Sequence, residues 1–173
     1  KGVIVKESND AALFTKMMQE TAERDGFSVH AEKTYASLLK TIKSNPGATL
    51  FVAYSPTHTP LAAAIVLFYG KTATYLYGAS VSQNRELMAP YVLHWEIMRA
   101  AKSHGCEKYD FFGVAPDGEP HHPWQGVSAF KEKFGGFEVH YLESQELVFQ
   151  KTIYKIFALI KGLRKILDKI RKQ

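Results

Sequence analysis

TATYLYGASVSQNRELMAPYVLHWEIMRAAKSHGCEKYDFFGV, residues 72–114, decides the fold. Its opening TATYLYGAS is rich in Thr and Tyr and reads as a strand. The polar connection VSQNREL follows. Pro90 suits the first turn of a helix, and Leu93, Ile97 and Ala101 recur at helical spacing, so a long helix is expected from about Ala89 to His104. Gly105 stops it, and EKYDFFGV returns to a strand pattern.

Upstream, Val3 to Val5 read as a short strand, and Ser8, Asn9 and Asp10 offer N-cap oxygens to a helix in which Leu13, Met17, Met18 and Ala22 share a face. Gly26 ends that helix. A second fits AEKTYASLLKTIKSN, with Tyr35, Leu38, Leu39 and Ile42 on one face and Pro46 and Gly47 closing it. ATLFVAYS and LAAAIVLFYG, joined by SPTHTP, lead through the Gly70–Lys71 turn into TATYLYGAS, which predicts an antiparallel meander. Downstream, the loop APDGEPHHPWQG precedes a short helix around VSAFKEKF, ended by Gly135 and Gly136. Two last strands are expected in FEVHYLES and ELVFQ, and then a helix from about Thr152 to Arg171.

At 173 residues, 46% of them hydrophobic, the chain can bury a core without disulfides or metal. No run approaches the roughly 18 to 20 apolar residues of a membrane-spanning helix, and a cytoplasmic protein is expected. The single cysteine, Cys106, excludes an internal disulfide and reads as a small buried filler. His121 and His122 are adjacent in a loop, a spacing that does not readily place both on one ion, so no metal site is predicted. No Walker loop, dinucleotide fingerprint or nucleophile elbow occurs. The net charge of +5 divides unevenly: residues 151–173 hold eight Lys or Arg against Asp168 alone, +7, which leaves −2 for the rest. In that tail Ile153, Ile156, Phe157, Ile160, Leu163, Leu167 and Ile170 follow helical periodicity, with basic residues opposite. Such a helix either lies on an anionic membrane surface, meets tRNA phosphate, or packs on another domain.

The element order resembles the GNAT acyltransferase fold, an α/β (α+β) arrangement with a mixed, largely antiparallel sheet flanked by helices. In that fold the strand before the long helix splays from its neighbour to make an acyl-donor slot. TYLYGAS (74–80), NRELMAPYVLHWEIMRAAKSHGC (84–106), KYDFFGVAP (108–116) and WQGVSAFKEKFGG (124–136) further resemble the FemABX family of peptidoglycan bridge-forming aminoacyltransferases, in that family's order and spacing. The resemblance implies transfer of an amino acid from aminoacyl-tRNA to a peptidoglycan precursor, with no cofactor. Its members usually carry two tandem GNAT-like domains, and this chain looks like the second. Residues 1–150 are then the acyltransferase domain, 151–173 a basic amphipathic helix, and an upstream GNAT-like domain is expected. A chain that opens on Lys1 fits a piece of a longer protein.

Ordinary GNAT enzymes hold the coenzyme A pyrophosphate on backbone amides of a turn patterned [QR]-x-x-G-x-[GA], where glycine permits close approach. Here the turn is Gln83-Asn84-Arg85-Glu86-Leu87-Met88-Ala89, without glycine. An acyl-CoA donor is disfavoured, and the family resemblance implies an aminoacyl ester on tRNA as the alternative. Lys131 matches the family's Phe-Lys pair, whose lysine meets the tRNA end or the oxyanion; taken alone, it reads equally as a solvated helix lysine. Asp110 is the best candidate carboxylate, either orienting the attacking amine and accepting its proton or acting as a structural acid. Trp124 and Phe130 offer flat surfaces on which a terminal adenine would stack, and Phe130 with Phe134 also makes an apolar helix face. Tyr77, Ser80, Asn84 and Arg85 lie between the splayed strand and the long helix, where polar groups reach a donor or a peptide carboxylate, with Arg85 as the anion clamp. Two other functions remain open on these residues: an acyl-CoA-dependent N-acyltransferase, and a non-catalytic tRNA- or membrane-binding module. If the tail is a docking surface, deleting residues 151–173 weakens co-sedimentation with anionic vesicles or tRNA most at low salt; undiminished binding would remove the tail from consideration.

Overall fold

Hydrophobic periodicity sets most of the elements found in the computed structural model, which describes residues 2–41, 47–142 and 145–170, the side chains of 41 and 165–170 excepted. In chain order these are β1 (Ile4–Ser8), α1 (Ala11–Asp25), α2 (Glu32–Thr41), β2 (Gly47–Tyr54), β3 (Pro60–Tyr69), β4 (Thr72–Ser80), a 3₁₀ turn at Arg85–Leu87, α3 (Ala89–Ser103), β5 (Lys108–Asp110), α4 (Gln125–Glu132) and α5 (Lys151–Ile170). The sheet order is β1-β2-β3-β4-β5. Hairpins make the first four strands antiparallel, and the α3 crossover returns the chain so that β5 runs parallel to β4. Residues 1–134 form one compact unit and residues 135–173 a second. Among the described residues no helix is long and apolar enough to cross a membrane.

Both faces of the sheet are covered, which is why LAAAIVLF in β3 reads as a continuous apolar run rather than an alternation. On one face α1 and α2 pack Phe14, Met17, Met18, Tyr35 and Leu39 against Leu50, Val52, Ala63 and Ile65. On the other, α3 sets Leu93, Ile97 and Ala101 against Phe51, Ala62, Ala64, Val66 and Phe68. A side chain as fully buried as Ile97 contributes about 1.5–3 kcal/mol. The Asp10 carboxylate accepts the Leu13 N–H at 2.8 Å and so caps α1, and Gly26, with φ 75, closes it.

One extra residue in β4 shapes the region beside it. Val66 pairs with Tyr75 but Ile65 with Tyr77, so Leu76 is a bulge. The insertion moves every later side chain to the other face. Ala73 and Tyr75 therefore join the α3 side, while Tyr77 and Ala79 join the α1–α2 side. The bulge falls where the parallel pairing ends, because β5 meets β4 only at Thr72–Thr74 whereas β4 continues to Ser80. The two chains part there.

The strand expected in EKYDFFGV is cut to Lys108–Asp110 for a local reason. Asp110 Oδ1 accepts the Phe112 N–H at 2.8 Å, and Phe112 adopts φ 64, which takes that amide out of any ladder. The two last strands expected from FEVHYLES and ELVFQ are not formed: residues 137–142 and 145–150 carry no strand, and Glu143 and Ser144 lie outside the described residues. Alternation gives a segment a face but not a partner, and Phe137, Tyr141 and Phe149 are 89%, 83% and 87% exposed. α2 ends at Thr41, and the expected Ile42, Pro46 and Arg171 positions lie outside the described residues. Within the second unit, the Tyr154 hydroxyl donates to the Glu146 carboxylate, tying α5 to the segment before it.

The close approach of Tyr75 to the backbone at Gly78 yields a test. A Cβ added at Gly78 would stand 1.6 Å from the Tyr75 hydroxyl oxygen. Gly78→Ala is expected to cost about 1–3 kcal/mol by urea unfolding, and much less in a Tyr75→Ala background.

Candidate active site

Two polar residues pin α4 to the chain beyond β5. Ser128 and Lys131, three apart, share its buried face. Ser128 Oγ accepts the Ala115 N–H at 2.7 Å and donates to the Trp124 carbonyl at 3.0 Å. Lys131 Nζ donates to the Gly113 carbonyl. The same ammonium lies 5.9 Å from the centroid of the Tyr75 ring, in reach of a cation–π contact. Lys131 thus joins the chain leaving β5 to the first residue of β4 beyond their pairing, and it is only 8% exposed. It is not a solvated helix lysine. Burial draws its pKa down, and the Asp110 carboxylate draws it back up.

An aromatic wall stands behind the ammonium. His94 on α3 is 2% exposed, with Nδ1 hydrogen-bonded to the Tyr109 hydroxyl at 2.8 Å. Its ring touches Tyr75, Phe111, Phe130 and Phe134 at centroid distances of 4.6, 5.1, 5.5 and 5.4 Å. Burial, reinforced by the Lys131 charge, pushes His94 down to about 3. Burial also pushes the Tyr75 hydroxyl up to about 12 and raises that of Tyr109. At neutral pH the His94, Tyr75 and Tyr109 rings are therefore uncharged. Sequence reading passed over His94, although it follows Leu93 and precedes Ile97 by three on the same core face.

The residues singled out from sequence fall into two groups. Lys131, Asp110, Trp124 and Phe130 gather around Gly113 and His94. Asp110 is exposed and engages the Phe112 amide through Oδ1. Trp124 is half exposed, and its ring lies over Gly113, whose added Cβ would come 3.3 Å from Cζ3. Phe130 packs on Tyr91 at 4.9 Å and on Phe134 at 5.2 Å, besides His94. The other four lie toward α1 and α2. Because of the bulge, Tyr77 packs on His30 and Tyr35, at 5.8 and 5.4 Å, and Tyr75 is the tyrosine that meets Lys131. Ser80 donates its N–H to Thr21 Oγ1 and accepts from Arg24 at its carbonyl, at 3.0 and 2.7 Å. Asn84 is exposed at φ 53 without a capping bond from its side chain. Arg85 lies close enough to Asp25 to help Arg24, the main cause, hold that carboxyl below its usual range.

The turn into α3 offers few amides to a ligand. Asn84 and Met88 both adopt left-handed φ, the N–H groups of Leu87 and Met88 bond the carbonyls of Asn84 and Arg85, and those of Tyr91 and Val92 bond that of Met88. Pro90 has no N–H.

The buried His94 predicts a pH response. The folded state holds His94 neutral down to about 3, whereas the unfolded chain takes up that proton below 6.5. Stability is therefore lost as pH falls from 6.5 toward 3, by about 3 kcal/mol at pH 4. Urea unfolding at pH 7 and pH 4 checks this, and His94→Gln is expected to remove that part of the acid sensitivity.

Comparison with known proteins bears on the fold and the family. A lipid II:glycine glycyltransferase of Staphylococcus haemolyticus (strain JCSC1435) is 29% identical over 128 residues, which are 73% of this chain and 30% of that protein. The chain thus spans less than a third of the length of that relative. The crystal structure of FemX superposes with a TM-score of 0.70 at 19% identity, over 76% of this chain and 49% of that one. A possible acetyltransferase from Clostridium difficile 630 matches 87% of this chain and 100% of its own at TM-score 0.62 and 12% identity, which establishes the acetyltransferase-like fold. The model of the FemAB family matches residues 47–162, from β2 into α5 and well over half the sequence, and the chain belongs to that family.

Proposed function

We propose that this chain forms the acyl-donor half of an aminoacyltransferase that adds an amino acid from aminoacyl-tRNA to the peptide stem of a peptidoglycan precursor, lipid II or its soluble UDP-linked counterpart. The observation that carries the reading is the Lys131 ammonium, buried at the point where β4 and the chain beyond β5 separate. A relative named as a lipid II:glycine glycyltransferase supports the same class of chemistry.

In this reaction the acceptor's neutral amine attacks the carbonyl carbon of the aminoacyl ester. A C–N bond forms, negative charge gathers on the carbonyl oxygen, the ester C–O bond breaks, and the tRNA hydroxyl leaves with the proton the amine gives up. Lys131 is suited to the developing oxyanion because it is buried against the Tyr75 ring, where a charge acts more strongly on a nearby oxygen than it does in water. In this reading Asp110, whose Oδ1 accepts the Phe112 N–H, receives or relays the amine's proton. An aminoacyl-tRNA donor, with no cofactor, is favoured over acyl-CoA because the amides of Tyr91 and Val92 are already engaged and Pro90 has none to offer a pyrophosphate. An upstream domain of the same fold completes the acceptor pocket in this reading. The basic α5 meets tRNA phosphate or the inner membrane surface that carries a lipid-linked acceptor.

The test uses the intact enzyme with charged tRNA and a muramyl-pentapeptide acceptor, and follows the mass of one added residue. Lys131→Met, which keeps the packing and removes the charge, is expected to slow single-turnover transfer by about 10²–10³. Transfer at the unmodified rate would leave Lys131 a structural lysine.

A further inference from the structure

The two buried residues of α4 are both polar, Ser128 and Lys131. Each reaches the connection beyond β5, and the points they hold are only two residues apart: the Ala115 N–H for Ser128 and the Gly113 carbonyl for Lys131. The direction of each Ser128 bond is fixed. A backbone N–H can only donate, so Oγ accepts from Ala115, and the hydroxyl proton goes to the Trp124 carbonyl, 3.0 Å away and one turn back along the helix. That carbonyl also accepts the Ser128 N–H, at 2.8 Å. The hydroxyl is thus engaged as donor and as acceptor. Residues 113–115 lie in no helix or strand, and Ala115 is buried. The Ala115 bond therefore ties the segment carrying the Gly113 carbonyl to the same helix that carries the ammonium.

We infer that Ser128 is a positioning residue for Lys131: its hydroxyl fixes the Gly113–Ala115 segment and, through the Gly113 carbonyl, the place where the ammonium stands. A group that stabilises an oxyanion acts at about 2.7–3.1 Å, so a lysine whose partner drifts keeps its charge and loses rate. Without Oγ the buried Ala115 N–H has no acceptor, and the segment shifts to find one. The inference rests on the transfer reading for the role of Lys131, and it adds a residue that acts through another.

The experiment makes two measurements on the intact enzyme and on its Ser128→Ala and Ser128→Thr variants. One is single-turnover transfer from charged tRNA at saturating acceptor. The other is labelling by acetic anhydride, read by mass spectrometry as the ratio of Lys131 to the exposed Lys133 nearby. Ser128→Ala is expected to slow transfer about tenfold and to raise the labelling ratio about threefold, since an ammonium with a loosened partner is more often open to the reagent. Ser128→Thr, which keeps the hydroxyl, is expected to restore both. If Ser128→Ala does not fold by circular dichroism, Ser128→Cys, close in size but a weak acceptor, takes its place. A variant that loses thermal stability while rate and ratio stay at the unmodified values overturns the positioning role, as does slowed transfer with an unchanged ratio. A raised ratio in the variant of an enzyme whose unmodified form transfers nothing would instead overturn the transfer reading and leave Ser128 holding Lys131 in place.

Discussion

A buried ammonium has to be held by specific partners, and the region between β4 and β5 is organised around that requirement. An isolated buried ammonium is costly, and removing any one compensating group leaves it uncompensated. Lys131 answers this with the Gly113 carbonyl, the face of Tyr75 and the nearby Asp110 carboxylate. Each partner in turn depends on an irregularity. Tyr75 faces Lys131 because Leu76 is a bulge, its ring fits because residue 78 is glycine, and the Gly113 carbonyl is available because Asp110 ends β5 early. Three departures from regular strand geometry serve one contact.

Much of the framework was legible in the sequence, because it follows from periodicity and caps. The apolar runs of β2 and β3, the Gly70 turn, the Asp10 cap and the Leu93–Ile97–Ala101 face of α3 all lie where they were read. The bulge was not legible: TATYLYGAS alternates smoothly, and only pairing with β3 reveals the extra residue. This is why Tyr77 was nominated while Tyr75 does the facing. The final strands failed for a related reason, since alternation in residues 137–142 is a local property and a ladder is a pairing one. His94 was visible in principle on the α3 core face, yet a histidine among apolar residues carries no sign of its partner Tyr109, fifteen positions on.

The chain shares its fold with acetyltransferases. At the head of α3 the N–H groups of Leu87, Met88, Tyr91 and Val92 are engaged within the turn, and Pro90 has none. The charged and aromatic groups cluster instead around Gly113, on the far side of α3 from Asn84 and Arg85 in the sequence and fixed by α4.

The most direct measurement is a crystal structure of the intact enzyme with a stable amide analogue of the aminoacyl-adenosine end of tRNA. The carbonyl oxygen of the analogue is expected within about 3 Å of Lys131 Nζ, between β4 and Gly113. A carbonyl bound elsewhere would contradict the assignment of this region to the acyl donor.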